Sequence, residues 1–350
     1  MLKMSHLAII AEFVIFGLIT WIAGIWLTRT TDAIDAKYKL GSAFGGLLIL
    51  GIVTSLPEIA IVITAALKNN YGIIIGTLLG GIAIQTVVLA IFDFRSDSKR
   101  ALTFSAASLT LVLESSFVVL VTVASLMAIR TPVVIPNTAI SLTSILIAVF
   151  WLVGLWMVFK ARNGLPWKAE ALAATPGRLH HERRAVINHP SLRSSSMTKV
   201  FTILGLASAA TLVAGYGLAT TGNDIANAFN INSGLFAATF IALAAALPNI
   251  STGVASIKMG DYSLAMSDIF GGNAILPALF VVCDLITGNA VLRNATSNDV
   301  WFAALGVLLT TIYTIGLIVR PKQVYFRLGI DSIFVVLLYI AGITFLTLAH

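Results

Sequence analysis

The stretch Ser55-Leu56-Pro57-Glu58 places a proline and a carboxylate inside an apolar run that extends from about residue 40 to residue 67. The stretch Ala246-Leu247-Pro248-Asn249 places a proline and an amide inside a second run, at about residues 234–257. A proline inside a helix removes one backbone hydrogen bond and clashes with the preceding turn, which leaves carbonyl oxygens free. Each stretch therefore predicts a broken helix with unbonded carbonyl oxygens near its middle.

The two stretches belong to a longer internal repeat at an offset of 191 residues. Its identities fall on prolines, paired glycines, a tyrosine and an aspartate, which makes chance agreement in an apolar alphabet a poor explanation. Without a gap, Leu56-Pro57 aligns with Leu247-Pro248, Tyr71 with Tyr262, Gly80-Gly81 with Gly271-Gly272, and Asp93 with Asp284.

The composition indicates a membrane protein. Hydrophobic residues make up 58% of the chain, charged residues 11%, and the mean hydropathy is +0.96, whereas soluble domains carry roughly a quarter charged residues. Apolar runs of membrane-spanning length recur throughout, and in lipid they must be helices because the backbone has to satisfy its own hydrogen bonds. The runs do not alternate in polarity, which excludes a β-barrel. The single cysteine, Cys283, excludes an internal disulfide and a cysteine metal cluster.

We predict ten transmembrane helices in two five-helix halves, residues 1–159 and 200–350, joined by a polar linker at 160–199. The spans are placed near 7–28, 40–67, 71–94, 102–127, 138–159, 200–221, 234–257, 262–286, 300–319 and 328–348. Because five is odd, the second half is inverted relative to the first. Inverted repeats with interrupted helices are typical of secondary transporters, which bind substrate near the midplane at the repeat interface.

Lysine and arginine fall mainly on one side of these helices. With the 160–199 linker in the cytoplasm, 18 of the 22 basic residues lie on the cytoplasmic side, as in membrane proteins generally. We therefore expect both termini outside, in a plasma (inner) membrane. The net charge of +7 then reflects topology and predicts no nucleic-acid partner. The basic residues left outside are Lys3, Lys68, Arg130 and Arg293.

The residues around the breaks resemble a known family. The run from Gly51 to Glu58, with Gly76-Thr77-Leu78-Leu79-Gly80-Gly81, resembles the first α-repeat of the Ca²⁺/cation antiporter superfamily, which includes sodium/calcium exchangers. The run Ala245-Ala246-Leu247-Pro248-Asn249, with Asp268-Ile269-Phe270-Gly271-Gly272-Asn273, resembles the second α-repeat. The resemblance implies exchange of Ca²⁺ against Na⁺ or H⁺ by alternating access.

The second repeat departs from the family pattern in several positions. Members usually carry one acid on each broken helix, but the second helix has Asn249 where the first has Glu58. The hydroxyl pair Thr54-Ser55 becomes Ala245-Ala246, and the amide of Gln85 becomes Leu276. The chain is therefore a divergent member on this resemblance, with oxygens missing from its second half-site.

Seven residues are candidate cation ligands, since carboxylates, amides and hydroxyls beside free carbonyls suit a hard cation. A charged side chain at membrane depth costs at least ~2.5 kcal/mol and marks function by default. For each candidate the alternative is structural: a neutral acid, a capping aspartate, or polar contacts between helices. The candidates are Glu58, Asn249, Asp268, Thr54, Ser55, Gln85 and Asn273, with Glu58 and Asn249 as the metal pair and Glu114 as a candidate proton relay.

These features predict a secondary cation antiporter that needs no ATP and no cofactor, with inorganic cations and the lipid bilayer as its partners. Neither a nucleotide-binding loop, a nucleophile elbow nor a zinc-protease motif occurs in the sequence, so we do not expect an enzyme. The alternative is a degenerate family member that serves as a membrane scaffold or ion sensor without transport.

Overall fold

A computed structural model describes residues 6–38, 50–96, 100–106, 108–131, 133–135, 141–162, 192, 195–258 and 260–348. Over these residues the chain is helical except for short connections and a hairpin, in which β1 (Val324–Tyr325) pairs antiparallel with β2 (Leu328–Gly329). The helices are α1 (His6–Tyr38), α2 (Leu50–Thr54), α3 (Leu56–Leu67), α4 (Tyr71–Arg95), α5 (Leu102–Ser105), α6 (Leu109–Arg130), α7 (Leu142–Arg162), α8 (Met197–Ala228), α9 (Ser233–Ala245), α10 (Leu247–Lys258), α11 (Tyr262–Thr287), α12 (Ser297–Val319) and α13 (Ile330–Leu348).

The predicted all-α fold is confirmed. Within the described part of the chain, seven helices are long and apolar enough to cross a membrane, and the bent pair α9–α10 makes an eighth when it is counted as one span. Two further apolar helices, α3 and α13, are shorter. The predicted span at 40–67 is described only from residue 50, and the 160–199 linker only at 160–162, 192 and 195–199. The division into two halves around that linker therefore stays a prediction.

Helices α1 and α8 are longer than the sequence predicts, at 33 and 32 residues. The predicted ends at residues 28 and 221 are too early because threonines there do not end a helix. Thr28 and Thr31 in α1 donate to the carbonyls of Gly24 and Leu27, at 3.0 and 2.9 Å. Such bonds to the preceding turn satisfy a hydroxyl without interrupting the helix.

The internal repeat extends to the backbone. Helices α3 and α10 begin and end at positions 191 apart. The turns that follow them are also capped alike, since the side chain of Asn70 accepts from the amide of Ile73 and that of Asp261 accepts from the amide of Leu264. These side chains satisfy amides that the first turn of a helix leaves unbonded. The two copies therefore share local structure as well as sequence.

Asp93 and Asp284, which also align in the repeat, each join a helix end to the other half. Asp93 in α4 accepts from the amides of Leu102, at 2.8 Å, and Gly329, at 2.6 Å, just before α13. Asp284 in α11 accepts from Val291, at 2.8 Å, and Ser141, at 3.2 Å, just before α7. The last helix of each half is thus tied to the repeat core of the opposite half.

Helices α1 and α8 cross the two proline breaks at matching glycines. A Cβ built on Gly24 would lie 2.3 Å from the Cβ of Pro248, and one on Gly215 would lie 2.4 Å from the Cβ of Ala60 and 3.1 Å from the oxygen of Pro57. Gly24 and Gly215 are themselves 191 residues apart. Each long helix therefore approaches the broken helix of the opposite half so closely that only glycine fits.

We expect Gly215→Ala to destabilise the protein by about 1–3 kcal/mol, because the added methyl overpacks a tight contact. Gly205 lies in the same helix, and a Cβ built on it would meet no described atom within 4 Å outside its chain neighbours and its own helix backbone. Gly205→Ala should therefore be neutral or stabilising by up to about 1 kcal/mol. Thermal unfolding of the two variants in detergent micelles measures the difference. Equal melting temperatures would contradict the close crossing.

Removal of the Asp284 carboxylate should also destabilise the fold. Asp284→Ala leaves two buried amides without an acceptor, and each such group costs about 1–3 kcal/mol. Asp224 is exposed on α8, so Asp224→Ala is the matched control and should leave the melting temperature unchanged. Because Asp284 joins α11 to the residue before α7, we expect Asp284→Ala also to increase protease cleavage of the folded protein in detergent. The control should not change the cleavage.

Candidate functional site

The two proline breaks are single interrupted turns rather than helix ends. Ser55 donates its amide to the oxygen of Gly51 at 3.1 Å, and Ala246 donates to the oxygen of Ala242 at 3.0 Å, so the chain is helical up to each break. Pro57 and Pro248 then lie in the first turns of α3 and α10, and α9 and α10 meet at a bend of 46°. Because a proline has no N–H, each break deprives a carbonyl one turn earlier of its helical donor.

Glu58 lies in the first turn of α3 and is 1% exposed. Gln85 of α4 donates its amide nitrogen to Glu58 Oε1 at 3.1 Å. Glu58 Oε2 and Gln85 Oε1 have no hydrogen-bond partner among the described residues. Buried polar atoms are nearly always bonded, and the amino end of a helix favours negative charge. Together the two oxygens provide buried acceptor sites for a cation or a proton.

The side-chain carbonyl oxygens of two asparagines also lack a hydrogen-bond partner among the described residues. Asn249, in the first turn of α10, and Asn273, in α11, are both buried, and their Oδ1 atoms lack a hydrogen-bond partner among the described residues. The Asn273 amide nitrogen donates to Thr86 Oγ1 at 3.4 Å, and Thr86 lies 3.3 Å from Thr310 in α12, oxygen to oxygen. This bond directs the Asn273 nitrogen to α4 and leaves its oxygen available.

Asp268 bridges the two broken helices from α11. Its Oδ1 accepts from Thr54 at 3.4 Å, before the first break, and its Oδ2 accepts from Thr252 at 3.0 Å, one turn after the second break. The carboxylate is buried, at 7% exposure. A cation-binding role for Asp268 stays a prediction, beside the structural alternative of an aspartate that caps a kink.

The predicted residues meet in two pairs, Glu58 with Gln85 and Thr54 with Asp268. Ser55 lies beside the backbone of α11, since a Cβ built on Gly272 would be 3.8 Å from Ser55 Oγ and 3.6 Å from Gln85 Oε1. Among the described residues no hydrogen bond joins Asn249 to Glu58, so their pairing as metal ligands stays a prediction.

Glu114 is buried in α6, one residue before Ser115, which accepts a hydrogen bond from Thr314 of α12 at 2.9 Å. A proton-relay role for Glu114 stays a prediction.

Sequence reasoning missed Thr252 and Thr86. Thr252 follows Asn249 by three residues, which places both on one face of α10, so helical spacing could have found it. Thr86 directly follows Gln85 and faces Asn273 instead of Glu58. Nothing in the sequence indicates that contact, because it depends on how α4 packs against α11.

The donor set consists of oxygen atoms. Two carboxylates, three amide oxygens and several hydroxyls suit hard cations such as Ca²⁺, Na⁺ or a proton, and would bind soft metals poorly. Among the described residues no group of three or more His, Cys, Asp and Glu lies together. The carboxylates that the described residues place beside the breaks are those of Glu58 and Asp268.

Comparison with known proteins places the chain in a family. The sequence model described as sodium/calcium exchanger protein matches residues 8–160 and 199–348. The chain belongs to the sodium/calcium exchanger family. It is an integral, multi-pass membrane protein, as members of this family are, and they are transporters rather than enzymes. No curated protein sequence matches the chain.

Solved exchangers share the fold at low sequence identity. A crystal structure of the H⁺/Ca²⁺ exchanger CAX is 11% identical, with 96% of this chain and 82% of that chain covered and a TM-score of 0.68. The sodium-calcium exchanger NCX_Mj, soaked with 2.5 mM Na⁺ and 0.1 mM Ca²⁺, is 17% identical, with 96% and 98% covered and a TM-score of 0.61. The same exchanger soaked without Na⁺ and Ca²⁺ is 16% identical, with a TM-score of 0.60. At these identities the likeness shows the fold.

We expect Glu58→Gln to weaken Ca²⁺ binding by about 10–100-fold, since loss of a charged ligand removes an interaction worth about 1.5–3 kcal/mol. Glu12 is exposed on α1, so Glu12→Gln is the control that removes the same charge elsewhere. Isothermal titration of the purified protein with Ca²⁺, and separately with Na⁺, measures the effect. If Glu58→Gln bound both ions with unchanged dissociation constants, Glu58 would not be a ligand of the site.

Proposed function

We propose that this exchanger-family protein is a secondary antiporter that moves Ca²⁺ in exchange for Na⁺ or H⁺, through a site centred on Glu58. Family membership and the exchanger fold support cation antiport in general. The observation that carries the finer proposal is the pair of buried oxygens, Glu58 Oε2 and Gln85 Oε1, that no described residue bonds. A carboxylate oxygen left without a partner in this setting is costly unless an ion or a proton occupies it.

Charge balance supports Ca²⁺ as the cargo. The carboxylates of Glu58 and Asp268 would neutralise one divalent cation, with Gln85, Asn249 and Asn273 supplying uncharged oxygens. Two protons or two sodium ions carry the same charge and could replace it at the same acids. The site itself therefore does not discriminate between Na⁺ and H⁺ as the coupling ion, and both are included in the proposal.

The access route follows from the inverted repeat. A site at the breaks of two oppositely directed helices is equidistant from both faces, so rocking of one part against the other exposes it in turn. On this proposal the site opens alternately to the cytoplasm, on the side of the 160–199 segment, and to the outside, where both termini lie. The transported ion is cargo, and the mechanism uses no resident cofactor.

The second candidate is a non-transporting scaffold or ion sensor of the same fold. The observation that favours it is the apolar second half-site, in which Ala245, Ala246 and Leu276 replace hydroxyl and amide positions of the first repeat. Such a protein would bind a cation at Glu58 without carrying it across the membrane. Binding without flux is the result that would distinguish it.

Flux in proteoliposomes tests the proposal. We expect radiolabelled Ca²⁺ to accumulate when either an outward Na⁺ gradient or an outward H⁺ gradient is imposed, and not when neither is present. Glu58→Gln should abolish uptake, while the Glu12→Gln control should transport like the unmodified protein. Absence of gradient-driven uptake of Ca²⁺ by protein that still binds it would favour the scaffold or sensor. Full uptake by Glu58→Gln would overturn the site.

A further inference from the structure

Helices α1 and α8 leave an apolar groove between them. The two helices run antiparallel, since the rings of His6 and Phe229 lie 5.3 Å apart at one end, and Ala33 packs in one cluster with Val200 at the other. Between these contacts the groove has a volume of about 370 Å³, and small-molecule sites span roughly 300–1,000 Å³. The groove is therefore large enough to hold part of a ligand.

Small residues at the bottom of the groove keep it open. Ala23 and Ala207 line it and are buried, at 5% and 7% exposure. Larger side chains beside them also line the groove but stay exposed, among them Ile22, Trp26 and Leu206. The lining is apolar, so the groove suits a hydrocarbon chain and offers no ligands to an ion.

The equivalent place at the other end of the helix pair is filled. At the repeat offset of 191 residues, Ala207 corresponds to Phe16, and Trp26 corresponds to Gly217. A Cβ built on Gly217 would lie 2.4 Å from the ring of Phe16, so this ring occupies the space between the helices there. The open groove is thus a property of one end of the pair and does not follow from the pairing itself.

Two basic residues lie at the open end of the groove. Arg29 follows Trp26 by three residues, and Lys199 lies four residues before the first lining residue of α8, which places each on the groove side of its helix. The guanidinium of Arg29 lies over the Trp26 ring, 5.2 Å from its centroid. Lys199 is exposed. The groove therefore combines an apolar lining with positive charge at one end.

The filled end carries different groups at these positions. The repeat equivalents of Arg29 and Lys199 are Thr220 and Ala8. Thr220 accepts a hydrogen bond from Lys68 Nζ of α3 at 2.8 Å. The lysine at that end is therefore bound to a hydroxyl of the protein, where no groove lies open beside it.

We propose that this groove binds one acyl chain of an anionic phospholipid, with the phosphate beside Arg29 and Lys199. Lipid tails are as apolar as the groove, so the chain gains van der Waals contacts there and little else. Selectivity for an anionic headgroup then comes from the two cations. With the 160–199 segment in the cytoplasm, this end of α1 lies at the cytoplasmic leaflet, which carries the anionic lipids.

The bound lipid has a structural consequence at the breaks. Gly24, next to the lining residue Ala23, packs against Pro248 of α10, and Gly215 of α8 packs against Ala60 of α3. A chain that fills the groove contacts both covering helices at once. Phospholipid binding should therefore stabilise the helix pair that covers the two proline breaks.

Lipid titration of the purified protein tests the site without reference to transport. In native mass spectrometry of delipidated protein, we expect phosphatidylglycerol to bind about tenfold or more tightly than phosphatidylcholine with the same acyl chains. Arg29→Gln and Lys199→Gln should each weaken phosphatidylglycerol binding by about fivefold, the scale of one basic residue at a lipid surface, and leave phosphatidylcholine binding unchanged. Lys160→Gln is the matched control, since Lys160 lies over the ring of Trp156 in α7, 5.3 Å from its centroid and outside the groove.

A second experiment locates the chain. Phosphatidylglycerol with a photoreactive acyl chain should label peptides of α1 and α8. Ala207→Phe places in the groove the residue that fills the other end, and should abolish this labelling. If Ala207→Phe does not fold, labelling of Lys199→Gln at one fixed lipid concentration serves instead and should fall with its affinity.

Three results would overturn the proposal. Equal binding of the two lipids, or an equal loss in Lys160→Gln, would show an unselective lipid layer. Labelling confined to helices other than α1 and α8 would place the chain elsewhere. A lipid-free dimer that Ala207→Phe converts into a monomer would show that a second copy of the chain fills the groove.

Discussion

The fold depends on what a proline does to a helix in lipid. Hydrocarbon offers no hydrogen bonds, so a carbonyl that loses its donor must find a partner in the protein, in water or in an ion. Pro57 and Pro248 each create that need in the middle of a span, at equivalent points of two copies. Polar side chains, Glu58 with Gln85 and Asp268 with two threonines, lie beside the breaks. Elsewhere the spans bury or expose mainly apolar groups.

The breaks also constrain the helices that cover them. A long helix can screen a break from lipid only if it comes close, and Gly24 of α1 and Gly215 of α8 permit that approach to Pro248 and Pro57. Each covering helix belongs to the half opposite the break it covers. Asp93 and Asp284 add further ties between the halves, through backbone amides.

Sequence reasoning reached the fold because the decisive signals are local. Apolar length gives the spans, prolines give the breaks, and an offset of 191 residues gives the repeat. For the candidate site, it named the polar residues next to the breaks and Asp268 beside the paired glycines; the structure brings Gln85 to Glu58 and Thr54 to Asp268, and their role as cation ligands stays a prediction. It missed Thr252 and the crossings at Gly24 and Gly215, because these are contacts between spans far apart in sequence. The hydrophobic periodicity of one helix does not indicate which distant helix packs across it.

Burial of the site explains why the proposed transport would exchange two kinds of ion rather than carry one ion alone. Glu58 has an oxygen that no described side chain satisfies, at 1% exposure. An empty, ionised carboxylate in a low-dielectric interior is too costly to carry between the two open states. In the proposed antiport the site would therefore have to be occupied whenever it crosses, by Ca²⁺ on one passage and by protons or sodium ions on the return. Under that proposal, obligatory occupancy of the buried Glu58 would couple the two fluxes.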